Sequence, residues 1–419
     1  MIKKFMKSKI WVIIIILAII FVPAELSSPT QTDLRSVILA IGVDKLEDMY
    51  EISNQILIPH YSLGFNETAN VVSGKGRNLY EASQDISLHL GKISGYAHVS
   101  AIVFGDSMKD ENIVDTLDFF LRSKRINNNA LVMTTNHSAK NLLEQVTKID
   151  NSFTLSVNNI IKYNESAVFA SSITMERFLN NYLGNQANIM PVIETTETDY
   201  EGINADSSSS QGNSSGISGS SSSSSSGSGG GQTESPYTVV SNQGKSAIYN
   251  RGIQVKILEP EEIVGFNAFT SSNRAVFTLN NVTDSVFNNA TVIVTILNAN
   301  QSTKLDFSLN GKPRLTTNVN YVLKVNQVIQ ENFNYDILQG MDTYVTERVI
   351  EKFNEYYKTK VANAVNMMKQ LNADCVNVAD KFYKFKTKKW KEFLNTLADE
   401  TNYMQEVEFF LNLQISGNI

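Results

Sequence analysis

Residues 36–58 read SVILAIGVDKLEDMYEISNQILI. Two apolar runs, Ser36 to Val43 and Tyr50 to Ile58, flank a short polar break. Both are rich in branched residues that suit a pleated, half-buried surface. Gly42, Asp44 and Lys45 supply the turn chemistry between them, so the stretch predicts two strands joined by a turn. Further on, Leu79, Ala82, Ile86 and Leu90 fall on one face of a helix that begins after Asn78, whose side chain suits an N-cap. His98 to Phe104 predicts a buried strand, Val114 to Leu121 a helix, Ala130 to Thr134 a strand and Ala139 to Val146 a helix. Strands alternating with helices predict a sheet covered by helices.

Upstream, Lys3, Lys4, Lys7 and Lys9 precede an apolar run from Ile10 to Val22. That is the charged and apolar pattern of an export segment, with the positive end left in the cytoplasm and the bulk of the chain exported. The run is shorter than the roughly 20 residues that cross a bilayer comfortably, which suits a cleaved signal. Phe5, Met6 and Trp11 lengthen it, and lysines snorkel, which suits a retained anchor. Both readings stand at this point.

Downstream, a serine and glycine tract runs from Ser207 to Gly231. Such a composition cannot bury enough apolar surface to offset its ordering entropy, so it predicts a flexible linker or loop. Its root-mean-square span is roughly 25–30 Å, enough to join two strands of one domain or two separate domains. After it come predicted strands at Gly252 to Leu258, Ala275 to Leu279, Thr291 to Leu297 and Tyr321 to Ile329. A long helix follows, about Asp342 to Leu371, with Val345, Val349, Phe353, Tyr357, Ala364, Met368 and Leu371 at helical spacing. Val407, Phe409, Leu411, Leu413 and Ile415 then alternate with polar residues as a half-buried strand.

The expected fold is therefore mixed α+β and multi-domain, with sheets covered by helices and a membrane-targeting helix at the N-terminus. The expected division is a signal or anchor segment at 1–24, an α/β domain at 34–196, a Ser/Gly-rich linker at 197–236 and a second α/β domain at 237–418.

The net charge of -6 includes the four N-terminal lysines, so the remainder is more acidic still. Such a surface repels phosphate backbones and excludes nucleic acid as the expected partner. The single cysteine, Cys375, allows no internal disulfide, and its apolar neighbours mark it as a small buried hydrophobe. Four scattered histidines, His60, His89, His98 and His137, offer no metal spacing. No nucleophile elbow, phosphate loop or dinucleotide fingerprint occurs, so no catalytic residue, cofactor or metal is expected. Gly74-Lys75-Gly76 reads as a turn. The adjacent Glu261 and Glu262, read as part of a strand, would face opposite sides and read as a solvated surface.

One stretch carries more. Lys381, Lys384, Lys386, Lys388, Lys389 and Lys391 interleave with Phe382, Tyr383, Phe385, Trp390 and Phe393. Each basic residue near anionic lipid contributes about 1 kcal/mol, and aromatic rings sit well at headgroup level. Lys384, Lys388, Lys389 and Trp390 are therefore candidates for contact with a membrane or a membrane partner. The plain alternative is a half-buried segment with a solvated lysine face.

The order of segments resembles the Ger(x)C family of spore germination proteins. Ile38 to Asp44 with Tyr50 to Pro59 resembles the family's first hairpin. Val72 to Gly76 with Leu79, Glu81 and Ala82, then His98 to Gly105, then Leu117 to Arg122, resemble later blocks in the family's order. Ser138-Ala139-Lys140 with Leu143, Asp374 to Val376, Trp390 and Ile415 to Gly417 continue it. The resemblance implies a non-enzymatic C subunit of a nutrient germinant receptor, with integral membrane A and B subunits as partners. It also implies a place on the extracytoplasmic face of the spore inner membrane. His98 and Arg122 fall in family blocks, and their own chemistry reads as a core histidine and a surface ion pair. The family usually anchors through a lipobox cysteine before the first strand, whereas this chain reads Ala24-Glu25-Leu26-Ser27-Ser28-Pro29 there. That departure favours a retained Ile10 to Val22 helix as the tether. The alternative function from a different class is a cell-surface solute-binding protein, which requires a ligand pocket between domains.

Overall fold

The structure, a computed structural model, describes residues 35–58, 68–149, 172–198, 237–241, 244–270, 276–331 and 344–417. The Ile10 to Val22 run and the Ser207 to Gly231 tract lie outside the described residues. Among the described residues no helix is long and apolar enough to cross a membrane.

The N-terminal part is built on a mixed sheet of β1 (Arg35–Leu46), β2 (Met49–Ile58), β3 (Thr68–Gly76), β4 (Ile93–Gly95), β5 (Ala101–Phe104) and β6 (Leu131–Thr134). Strand order is β3-β2-β1-β5-β6, with β4 beside the first residues of β1. The β1-β2 and β2-β3 pairs are antiparallel, whereas β5 and β6 run parallel to β1. A register shift between Ile38 and Ala40 puts Ile38, Ile41 and Val43 in one core and Ala40 in another. Helices α1 (Leu79–Leu90) and α2 (Ile113–Phe119) cover the first face, and α3 (Ala139–Ile149) covers the second through Ala139, Leu142, Leu143 and Val146. Asn78 caps α1 as expected, its side chain accepting from the Glu81 N–H.

Three local expectations are corrected. The β1-β2 turn lies at Glu47–Asp48, with Glu47 at φ 50°, and Gly42, Asp44 and Lys45 stay in the strand. Gly74, Lys75 and Gly76 end β3 and make no turn. A Cβ on Gly74 would meet the Ala82 carbonyl at 2.4 Å, and one on Gly76 the Ala82 nitrogen at 2.4 Å. The two glycines let α1 lie directly on the strand backbone. His98 ends a 3-10 turn at Tyr96–His98 and is exposed, so only Ala101–Phe104 of the predicted strand is strand.

After α3, helix α4 (Met175–Leu183) leads into β7 (Asn188–Pro191) and β8 (Glu194–Thr198). β8 pairs antiparallel with β9 (Tyr237–Ser241), so the residues on either side of 199–236 are held together as a strand pair. β7 then pairs with β10 (Ser246–Asn250), which pairs with β11 (Ile253–Leu258). This three-stranded sheet joins sequence from both sides of the serine tract. In β10, Ala247 and Tyr249 enter the N-terminal core while Ile248 enters the C-terminal one. Burial pushes the Tyr249 phenol up to about 12, and its hydroxyl lies within 3.3 Å of Thr134 Oγ1 and 3.0 Å of Gln254 Oε1.

The C-terminal part is a four-stranded sheet in the order β12 (Val276–Val282), β13 (Ala290–Phe307), β14 (Pro313–Ile329) and β15 (Glu408–Gly417). The last pair is parallel and the others antiparallel. Helix α5 (Pro260–Asn267) carries Glu261 and Glu262 in its first turn, not in a strand. There Glu262 closes a capping box with Glu259, and Glu261 pairs with Lys360. Helix α6 (Glu347–Gln370) buries Val349, Phe353, Tyr357, Ala364 and Met368 of the predicted stripe together with Val361 and Met367. It begins later than expected, so Val345 lies before it and Leu371 is its C-cap, both half-buried. Phe353 and Tyr357 meet Phe277 and Tyr321 edge to face, and the Tyr321 and Tyr357 hydroxyls are 2.7 Å apart. Helix α7 (Val378–Leu394) completes the core through Phe382, Trp390 and Phe393.

Candidate functional site

Between α6 and α7, Asn372 and Asn377 both take left-handed backbone angles, which asparagine tolerates. They fold Ala373–Val376 back into the core, with Asp374 only 1% exposed. Its Oδ1 accepts from the Val378 N–H at 2.8 Å and the Val376 N–H at 3.3 Å. Its Oδ2 accepts from the Ala379 N–H and the Tyr403 hydroxyl, both at 2.9 Å. The carboxylate thus occupies the N-terminus of α7, where unsatisfied donors and the helix dipole favour an anion. Burial pushes the Asp374 carboxyl up, opposed by the hydrogen bonds from Ala379, Val378, Tyr403 and Val376. Burial and the neighbouring Asp374 charge hold the Tyr403 phenol well above its ordinary range, so it remains a donor.

The same node ties the two parts of the chain together. The Ala187 N–H donates to the Asp374 carbonyl at 3.0 Å, and Tyr403 Oη lies 3.1 Å from the Asn185 carbonyl. The Asn250 side chain donates to the carbonyls of Leu371 and Asn372. Next to Asp374, the Cys375 thiol is buried and pushed up by desolvation, so it carries no reactive thiolate.

A cleft of about 540 Å³ opens beside this node, between the end of α4 and the face of α7. Asn180, Asn185 and Gln186 line one side, and Asp380, Tyr383 and Lys384 the other. Among the described residues no cluster of three His, Cys, Asp or Glu could hold a metal ion.

The predicted contact residues separate. Lys384, Lys388 and Lys389 are exposed, within an unbroken exposed run from Tyr383 to Lys389. The run bends at Lys386, whose φ of -140° and ψ of 35° break α7 into two pieces. Trp390 does not join them on the surface. It is 2% exposed, stacked on Phe382 at 5.2 Å and met edge to face by Tyr403 at 5.3 Å. Its place at headgroup level is therefore corrected, because position 390 falls on the same helix face as buried Phe382 and Phe393 and packs with them in the core. The exposed aromatics are Phe385, 74% exposed, and Tyr383, 55% exposed.

Beside this basic knuckle lies the tip of the β13-β14 hairpin. Phe307 packs on Phe382 at 5.3 Å, and Lys389 Nζ sits 5.9 Å over the Phe307 ring. The Asp306 carboxyl is lowered first by the Phe307 N–H and then by Lys304, Lys386 and Lys389. At the tip, Leu309 is fully exposed. Lys386 and Lys389 therefore lie beside the hairpin strand that leads to Leu309.

A third convergence lies in the N-terminal part. Asp44 of β1 accepts from the Ala139 and Lys140 N–H groups at 2.9 and 3.0 Å and from the Ser138 hydroxyl at 2.9 Å, and so caps α3 from the sheet. Gly105 lies against the same carboxylate. Arg122, on the surface, pairs with Asp118 at 2.6 Å, as its chemistry predicts.

Compared with known proteins, residues 30–195 match the family profile described as spore germination protein N-terminal domain. Residues 244–416 match the profile described as spore germination B3/GerAC like, C-terminal. No curated protein matches the chain. Among solved structures, the one titled crystal structure of the GerBC protein aligns at 13% identity with a TM-score of 0.48, covering 90% of this chain and 96% of that one.

Proposed function

The chain belongs to the Ger(x)C family of spore germination proteins, and from that premise we propose that it is the non-enzymatic C subunit of a nutrient germinant receptor. On this reading it is exported, held on the outer face of the spore inner membrane by its N-terminal segment, and coupled to integral membrane A and B subunits. The observation that carries the proposal is the match of both family halves, in order, on one chain, with the serine tract in the interval between them. Fractionation of dormant spores with intact-mass analysis tests it. Recovery in the inner membrane with residues 10–22 attached is expected, whereas a soluble vegetative protein beginning near Glu25 contradicts it.

We further propose that the knuckle at 383–389 rests on the lipid surface, with Phe385 and Leu309 at headgroup level. The support is four exposed lysines, Lys384, Lys386, Lys388 and Lys389, in the same run as exposed Phe385, with Lys386 and Lys389 beside the hairpin that carries exposed Leu309. Because Cys375 is buried, a Thr387→Cys variant offers one accessible thiol for an environment-sensitive dye. Its emission is expected to shift to the blue with anionic vesicles and to stay unshifted with neutral ones. Adding Lys386→Glu, Lys388→Glu and Lys389→Glu removes about 1 kcal/mol per lysine or more, so the lipid needed for half the shift rises about a hundredfold. Equal shifts before and after charge reversal contradict the lipid contact.

A further inference from the structure

The cleft between α4 and α7 has features that the receptor reading does not use. At about 540 Å³ it falls within the range of small-molecule sites, and it lies between the two parts of the chain, a preferred place for such sites. Gln186 lines it while only 5% exposed, and its carboxamide makes no hydrogen bond to any described residue. Its polar atoms are not sealed in the core but reach the cleft, where they can pair with what enters it.

The remaining lining sets the chemistry of that partner. Asn180, Asn185 and Asn377 bring three more carboxamides to the same cleft, while the Asn181 amide is turned to Asn188. Each carboxamide presents a donor and an acceptor side by side, as neighbouring hydroxyl groups on a ring require. Tyr383, 55% exposed, adds an aromatic face against which the C–H face of such a ring packs, whereas Trp390 and Tyr403 behind it are buried. The charges disfavour anions. The Lys384 ammonium lies 2.8 Å from Asp380 and is neutralised there, and Glu400 adds a further negative charge. A zwitterion would need a free cation for its carboxylate, and the lining supplies none.

We propose that this cleft binds a neutral polyhydroxylated ligand, a saccharide, whose hydroxyls pair with the Gln186 and Asn180 carboxamides. The ligand bridges α4 and α7 and so fastens the two parts of the chain beside Asp374 and Tyr403. The proposal is independent of the lipid contact and of the receptor partners.

Full-length protein in a detergent without a sugar headgroup tests it by saturation-transfer NMR and thermal denaturation, with D-glucose, N-acetyl-D-glucosamine and L-alanine as probes. At least one sugar is expected to receive saturation and to raise the melting temperature, with no response to L-alanine. Gln186→Leu is expected to weaken sugar binding at least about tenfold, the loss of one buried hydrogen bond. Asn180→Ala, at an exposed position, is expected to weaken it similarly with the unliganded melting temperature unchanged, so a folding defect in the first variant leaves the test intact. Three results overturn the proposal: no response to either sugar, a sugar response that survives Asn180→Ala and Gln186→Leu, or a response to L-alanine alone.

Discussion

Asp374→Ala is expected to destabilise the protein by about 3–5 kcal/mol, read as a fall in the urea midpoint at unchanged slope. The substitution strips the acceptor from three backbone N–H groups, those of Val376, Val378 and Ala379, and from the Tyr403 hydroxyl. All of them lie inside the core, where each unsatisfied donor costs about 1–3 kcal/mol, although relaxation and entering water keep the total below the sum. Tyr403 retains the Asn185 carbonyl as a partner. Asp374→Asn keeps the volume and one good acceptor but turns an NH₂ toward the remaining donors, so a smaller loss, about 1–2 kcal/mol, is expected. A loss under 1 kcal/mol for the alanine variant would mean that the carboxylate does not hold the α6-α7 corner.

Gly105→Ala is expected to cost about 3 kcal/mol, an effect of space and not of backbone freedom. Gly105 has φ -72° and ψ 165°, angles open to any residue. A Cβ there would lie 1.9 Å from Asp44 Oδ1 and 3.0 Å from the Ala139 nitrogen. Asp44 would have to leave the N-terminus of α3, abandoning three hydrogen bonds and a favourable dipole interaction. A double-mutant cycle isolates this cause. In an Asp44→Ala background the obstructing oxygen is gone, so Gly105→Ala is expected to add less than about 1 kcal/mol. Additive losses would place the strain elsewhere.

These two sites show what the sequence made legible and what it did not. Ile38 to Asp44, His98 to Gly105 and Ser138 to Lys140 were distinguishable as ordered blocks. Their meeting at one carboxylate depends on β5 lying beside β1, a long-range pairing that local pattern does not reveal. Strands and helices with strong periodicity were readable, Asn78 as a cap among them. The β1-β2 turn was not, because its left-handed residue is Glu47, a type that carries no turn signal. β13 and β14 continue through polar stretches such as Asn298 to Lys304, whose partners come from the adjacent strand and not from alternating apolar residues. In the lysine and aromatic run, composition gave the exposed basic face. Which ring of the run faces inward was not legible: Trp390 shares the core face with Phe382 and Phe393, whereas Phe385 stays exposed. Asp374 stood out only as part of a family block, since a lone acid among apolar residues has no periodic signature. Gln186 lies in an asparagine-rich stretch and had none either.

The most direct test of the receptor reading is purification of the full chain from dormant-spore inner membrane in mild detergent, with mass spectrometry of what accompanies it. Co-elution with polytopic membrane subunits at fixed ratio, retained through a second column, is the predicted result. Recovery of the chain by itself, with those subunits eluting elsewhere intact, would contradict it.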